Sequence, residues 1–410
     1  MAGHNHDMPP PHPPDDPAIP RSAPLPGALT WIDGSLDTLA RRGLLRPRRT
    51  RRGRQGREVE IDGRRLLNFG SNDYLGYAGD VRLTRAASRA ACAEGFGAGA
   101  SPLVSGHSAT HAALERAIAA LTGTGDVLLF PSGFAANAAT VAALVGPGDL
   151  VASDERNHAS LIDGCRLARA DVAIYRHRDV GDLCRVLAAP GRRRRLVVTD
   201  SLFSMDGTIA PLADIAEVAS RHAAMLMVDE AHATGVFGPR GSGLVEEAGC
   251  ADGVHVRTGT LSKALGAAGG FVAGHDDLIR WLRHAARGWL FSTAPPPAVA
   301  AAATRAIGLV GEEPSRRDEL RHRADAFRAR LTSAGLDLGG AAGQIVPVVA
   351  GPAAAAVALS ARLADAGFFV PAIRPPSVPQ GRSLVRASLS WLHTESDLER
   401  LADAIVTCLR

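Results

Sequence analysis

From Leu66 onward, short apolar β-rich runs alternate with alanine-rich amphipathic stretches, and this alternation constrains the fold more than any other feature of the 410-residue chain. The runs are Val127–Phe130, Leu150–Ala152, Val172–Tyr175, Leu196–Thr199, Met225–Val228, Val254–Thr258 and Phe271–Ala273. Most are continuously apolar, the pattern of strands buried on both faces of a parallel sheet. Helical periodicity falls between them, over about 111–122, 134–144 and 212–222. Strand and helix in turn predict an α/β fold with a mostly parallel seven-stranded sheet. After about Ala300 the pattern changes to a long charged helix, Arg316–Ala334, then a strand over Gln344–Val349, which predicts a smaller C-terminal α+β domain.

The expected organisation is a leader over 1–27, an N-terminal arm over 28–65, a large domain over 66–300 and a small domain over 301–410. The leader holds nine prolines with His4, His6 and His12 and almost no apolar clustering. It is predicted to be disordered, and without an apolar run it is not a secretory signal. The longest uncharged stretch, Leu338–Ala361, is broken by Pro347, Pro352 and four glycines, so no membrane span is expected. Five cysteines form no C-x-x-C pair, which fits a reducing compartment.

The basic residues carry the sharpest compositional signal. Among 46 lysines and arginines, Lys263 is the only lysine. Arginine serves wherever a permanent charge suffices, so the position that kept lysine needs an amine able to lose its proton. Ser262 precedes Lys263, and no Gly-Lys-Ser/Thr phosphate loop exists. Neither H-E-x-x-H nor G-x-S-x-G occurs, which removes zincin and α/β-hydrolase chemistry, and no metal site is expected.

In doubly wound sheets ligands collect at the carboxyl ends of the strands, so chemistry is sought in the residues directly after each strand. Pro131-Ser132-Gly133-Phe134 opens a helix whose free N–H groups suit a phosphate. His158 follows the second strand, Ser204 the fourth, Asp229 and His232 the fifth, and Thr260, Ser262 and Lys263 the sixth. Each alone has an ordinary explanation: a capping serine, a strand-ending aspartate, a solvated lysine. Together they meet the needs of one cofactor, pyridoxal 5′-phosphate (PLP). Its aldehyde needs a deprotonatable lysine, its pyridinium nitrogen a carboxylate, its phosphate N–H and hydroxyl donors, and its ring a flat neighbour.

Five segments in this order, Asn72–Gly76, Ser132–Asn137, Asn157–Ser160, Phe203–Gly207 and Val228–Gly235, resemble the α-oxoamine synthases, a family of fold-type-I PLP enzymes. The resemblance runs from about residue 35 to the C-terminus. It implies that Lys263 carries the cofactor and moves the substrate Cα proton, that Asp229 pairs with the ring nitrogen, and that His158 stacks on the ring. It implies that Ser132, Gly133, Phe134, Ser204, His232 and Thr260 surround the cofactor. Arg46, Asn72, His158, Ser377 and Arg386 are implied to bind substrate, Arg386 at the amino-acid carboxylate and Arg46 and Ser377 on the acyl side. Ala372-Ile373-Arg374-Pro375-Pro376-Ser377-Val378-Pro379 is similar to the biotin-pathway branch of the family. That branch implies decarboxylative condensation of L-alanine with a pimeloyl thioester, on CoA or a carrier protein. It further implies a cytoplasmic homodimer that binds neither nucleic acid nor membrane. Glycine C-acetyltransferase and PLP aminotransferases are the competing readings; Ile373–Pro379 argues against the first, Asn72–Gly76 and Ser377 against the second.

Three further signals point elsewhere and are weaker. Gly95–Ala100 fits G-x-G-x-x-A but follows the helical pattern Leu83–Glu94 rather than a strand, so no dinucleotide site is expected. Arg41–Arg57 contains nine arginines, no acid and no interleaved aromatic, which fits a segment facing CoA or carrier phosphates better than one binding nucleic acid. Arg192–Arg195 reads as a solvated loop.

Overall fold

The computed structural model describes residues 26–409, so the leader expected over 1–27 lies outside the described residues except for Pro26 and Gly27. The chain divides into two compact units, the first ending at Pro47 and the second beginning at Arg48. The first contains the helix Trp31–Arg41. The second contains all three sheets and every expected site residue except Arg46.

The central sheet has seven strands: β1 (Asp126–Phe130), β2 (Leu150–Asp154), β3 (Asp171–Tyr175), β4 (Arg195–Asp200), β5 (Met225–Asp229), β6 (Val256–Thr260) and β7 (Gly270–Gly274). Their order is β1-β7-β6-β5-β4-β2-β3, and only β7 runs antiparallel, between β1 and β6. Val127 and Leu129 enter one core while Leu128 and Phe130 enter a second, and Val197 parts from Leu196 and Val198 in the same way. Successive residues of a strand point to opposite faces, so a sheet with a core on each side has no polar positions to alternate. Helices α1 (Val81–Glu94) and α2 (Ala109–Thr122) cover the first face, α3 (Gly133–Leu144) and α4 (Ala159–Ala168) the second. Each fully buried Val or Leu contributes roughly 1.5–3 kcal/mol, so the two cores together hold a firm edge on which loops can carry chemistry.

One strand is displaced from its expected place. The run over Val254–Thr258 forms β6 at Val256–Thr260, because Ala251–Gly253 make a 3₁₀ turn and His255 donates its N–H to the Leu226 carbonyl before the ladder begins. The ladder continues through Gly259 because that residue lacks a side chain: a Cβ there would come within 2.4 Å of the Phe271 ring on β7. Thr260 therefore ends the strand, three residues before Lys263. Arg193 and Arg194 stand exposed in the loop expected of them, and Arg195 opens β4. Arg193 and Arg194 both pair with the buried Asp149, and Arg195 donates to the Leu187 and Ala189 carbonyls. A buried carboxylate draws in whatever cations are near.

The C-terminal sheet comprises β8 (Ile345–Gly351), β9 (Ala372–Ile373) and β10 (Ser383–Ser388), all antiparallel with β10 in the centre. Residue 300 falls inside helix α5 (Pro297–Glu312), which packs against α1 and α2. A third sheet joins Arg51–Arg52, Glu58–Ile61 and Arg64–Asn68 to Phe368–Phe369, the last running parallel to Arg64–Asn68. This cross-connection ties Asn72–Gly76 to the C-terminal sheet. Ser388 donates its N–H to the Phe69 carbonyl at 2.8 Å, Ser390 Oγ donates to Asp73 O at 2.7 Å, and the Trp391 N–H to Tyr74 O at 2.7 Å.

Candidate active site

Asp229 ends β5 and is buried at the carboxyl edge of the sheet. Its Oδ2 accepts from Asn137 Nδ2 at 2.6 Å and its Oδ1 from the Ala231 N–H at 2.7 Å. Asn137, on α3, is fixed from both ends of its amide: the nitrogen also donates to Ser160 Oγ at 2.9 Å, and the oxygen accepts from Thr258 Oγ1 at 2.7 Å. Ser160 Oγ lies 2.7 Å from His158 Nδ1, and the His158 N–H donates to Asp200 Oδ2 at 2.7 Å. Phe134 meets the His158 ring edge-on, 6.4 Å between centroids. Burial pushes the His158 imidazole down, against the pull of Asp229, and burial plus the charge of Asp229 pushes Asp200 well up. His158 is thus kept neutral at pH 7.

Lys263 follows β6, and its Nζ lies 2.8 Å from His232 Nε2. Desolvation lowers this amine to about 8, although Asp229 and Asp200 oppose the shift. His232 Nδ1 is 2.6 Å from the Tyr74 hydroxyl, which donates to Asn72 Oδ1 at 3.2 Å. Asn72 Oδ1 also accepts from Arg386 Nη2 at 3.1 Å, and Arg386 Nη1 donates to the Ser204 carbonyl at 2.9 Å. Arg386 Nε is buried without a hydrogen-bond partner. Burial lowers His232 far below its ordinary value, with Lys263 and Arg386 adding to the effect, and it lowers Arg386 too. A buried guanidinium with a donor to spare is costly until an anion reaches it.

The third element is the turn after β1. Ser132 caps α3, its Oγ accepting the Ala135 N–H at 3.1 Å, and Gly133 opens the helix. Thr260 lies against this turn: a Cβ on Gly133 would sit 3.3 Å from Thr260 Cβ. Thr260 Oγ1 and Ser262 Oγ are 2.7 Å apart. Gly270 of β7 comes closer still, since a Cβ there would be 2.5 Å from the Gly133 nitrogen.

PLP fits these residues on their chemistry: an amine of depressed basicity, a carboxylate aimed by Asn137, a neutral imidazole beside it, and a helix start flanked by two hydroxyls. Ser132, Gly133, Phe134, His158, Ser204, Asp229, His232, Thr260 and Lys263 are the residues that would hold it. Asn72 and Arg386 join the same network. Ser377 does not: it is exposed, and its N–H donates to the Arg374 carbonyl. Arg46 belongs to the first unit and is exposed. Sequence reading missed Asn137, Ser160, Tyr74 and Asp200 as parts of the site. A signal for Asn137 existed, because an asparagine on the apolar face of an alanine-rich helix must find a polar partner.

The family profile described as "Aminotransferase class I and II" matches residues 64–405. An 8-amino-7-oxononanoate synthase of Anaeromyxobacter sp. (strain Fw109-5) is 52% identical over 382 residues, 93% of this chain and 96% of that protein. The structure of Sphingomonas wittichii serine palmitoyltransferase is 32% identical with a TM-score of 0.88, covering 94% of this chain and 98% of its own. A serine palmitoyltransferase variant from S. paucimobilis, solved with bound PLP–myriocin aldimine, is 30% identical with a TM-score of 0.88 over the same shares, 94% and 98%. The chain belongs to the class I and II aminotransferase family and, within it, to the α-oxoamine synthase branch that contains the 8-amino-7-oxononanoate synthases.

Proposed function

We propose that this chain catalyses the PLP-dependent decarboxylative condensation of L-alanine with a pimeloyl thioester. The products are 8-amino-7-oxononanoate, carbon dioxide and the free thiol of CoA or a carrier protein, which makes it an enzyme of biotin biosynthesis. The observation that carries the reading is the linkage of a depressed amine at Lys263 to a buried, incompletely bonded guanidinium at Arg386, in a chain 52% identical to a synthase of that name.

When bound, PLP supplies an electrophilic carbon for the substrate amino group and a ring that spreads the negative charge left at Cα. Lys263 takes the Cα proton and returns it, a task suited to an amine that titrates near the working pH. Asp229, aimed by Asn137, holds a proton on the ring nitrogen through a charge-assisted hydrogen bond. His158 would give the ring a flat, neutral neighbour, and His232 and Ser204 would hold its phenolic oxygen. Ser132, Gly133, Phe134 and Thr260 enclose the phosphate end, where the start of α3 offers unpaired N–H groups. Arg386 and Asn72 hold the alanine carboxylate, and Ser377 takes the acyl thioester.

The working form in this reading is a cytoplasmic homodimer. Phe96, Leu103, Val104 and Phe291 are exposed, and three of them flank the contact between helix Arg287–Leu290 and the turn Pro102–Gly106, an apolar surface suited to a second copy. No described helix is long and apolar enough to cross a membrane, and the five cysteines are free. CoA release measured with alanine against glycine, and with pimeloyl-CoA against acetyl-CoA, tests the activity. Turnover confined to alanine and the pimeloyl donor supports it; preference for glycine with acetyl-CoA overturns it.

A further inference from the structure

The hydrogen bonds around Asn72 determine where protons lie. A guanidinium only donates, so the Asn72 atom 3.1 Å from Arg386 Nη2 is its oxygen. Ser388 Oγ, 3.5 Å from the same atom, is consistent with that orientation. The Tyr74 hydroxyl, 3.2 Å from that oxygen, meets it by donating its single proton. His232 Nδ1, 2.6 Å from the Tyr74 oxygen, must then be the donor of that contact. This leaves a lone pair on His232 Nε2, facing Lys263 Nζ at 2.8 Å. Tyr74 is fully buried, and His232 and Arg386 are only 5% and 7% exposed, so water does not compete for these positions.

We propose that Tyr74 is a positioning residue: anchored to Arg386 through Asn72, it holds His232 in the Nδ1–H tautomer, so that Lys263 faces a hydrogen-bond acceptor. The inference concerns the amine before any substrate binds and is independent of the acyl donor. An acceptor at Nε2 favours the ammonium form of Lys263, whereas a donor there favours the free amine. The other charged or titratable groups acting on Lys263 are Asp229, Asp200, Arg386 and His158; neither substitution removes any of them, and only Asn72→Ala takes a hydrogen-bond partner from one, Arg386. In Tyr74→Phe a buried Nδ1–H would lack a partner, so His232 moves its proton to Nε2 and donates it to Lys263. In Asn72→Ala the Tyr74 ring stays packed, but its proton is released to Nδ1, with the same result at Nε2.

The lone lysine makes the test direct. The initial rate of reductive methylation by formaldehyde with cyanoborohydride, followed on the Lys263 peptide of the full-length chain cleared of PLP, reports the free amine as a function of pH. Each single variant lowers the midpoint of that profile by about one pH unit. The double variant lowers it no further than the single ones, because both act through one histidine. Ring ¹⁵N shifts of His232, assigned by their loss in His232→Asn, show Nδ1 protonated and Nε2 bare in the unmodified chain. A protonated Nε2 there, midpoints unmoved in both variants, or shifts that add in the double variant would each overturn the proposal. If Tyr74→Phe does not fold, Asn72→Ala and the ¹⁵N shifts decide.

Discussion

The carboxyl edge of the central sheet and the segment Ile373–Pro379 both contribute to the proposed site, and they are built in opposite ways. At the sheet edge, Asp229, Asn137, Ser160 and Thr258 are buried and every one is hydrogen-bonded to another of the set. On the segment, Ser377 is exposed, and its backbone N–H turns back to the Arg374 carbonyl within the segment itself. The contrast follows from solvent. A buried polar group left unpaired costs about 1–3 kcal/mol, so each must be tied to the next, whereas an exposed hydroxyl is satisfied by water. Damage at the edge therefore spreads through the network, and damage on the segment stays local.

Lys263→Arg tests the edge most severely. Arginine keeps the charge but gives up no proton at working pH, so activity should fall by roughly a thousand-fold or more. Borohydride reduction of the native protein should place the pyridoxyl group on the Lys263 peptide, and label elsewhere would remove the lysine from the centre of the site. Asp229→Asn should fold and still bind cofactor, yet lose about a hundred-fold or more in kcat, since the ring nitrogen loses its anionic partner. A normal rate in that variant would show that the carboxylate is structural. Asn137→Ala touches no reacting atom, but it leaves Asp229 short of a donor. It should cost about tenfold to a hundred-fold in kcat and lower the melting temperature.

The amine itself sets a pH dependence. Its folded value, about 8, lies below the ordinary 10.5, so the free amine prevails above pH 8 and the ammonium below it. Recombination of PLP with the cofactor-free chain should therefore slow about tenfold for each unit below that midpoint, and a flat stopped-flow profile between pH 6 and 8 would contradict it. The smallest effect belongs to the exposed segment. Ser377→Val should raise KM for the pimeloyl thioester about fivefold, the worth of one hydrogen bond, and leave alanine binding unchanged in a spectral titration. Equal loss for both substrates would erase the distinction between the two regions.

Legibility in the sequence divides along the same line. Strands with a core on each face must be continuously apolar, so Val127–Phe130 and Met225–Val228 stand out, and the polar residues directly after them stand out with them. Asp229, His232 and Lys263 were readable for that reason. Asn137 and Tyr74 were not read as site residues, because their partners Asp229 and His232 lie 92 and 158 positions away and only the folded chain brings them together. The displaced start of β6 was equally hidden, since Val254 and His255 look like strand residues until the Leu226 carbonyl claims the His255 N–H. The pairing of Arg193 and Arg194 with Asp149 was out of reach for the same reason: charge patterns do not show which acid is buried.

The lone antiparallel strand has a consequence for what the site can accept. Gly270 of β7 pairs with Phe130 on one side and Thr260 on the other, so the turn that opens α3 and the loop that carries Lys263 leave the sheet two strand spacings apart, roughly 10 Å. Backbone hydrogen bonds set that spacing, and they are the same whatever side chains the loops carry. The span acts as a gauge block. Drift in the loops can change the side chains they carry, but the two strand ends from which the α3 turn and the Lys263 loop depart keep one spacing. On the proposed placement of PLP, an analogue with its anionic arm lengthened by one methylene should bind more weakly although no residue is changed.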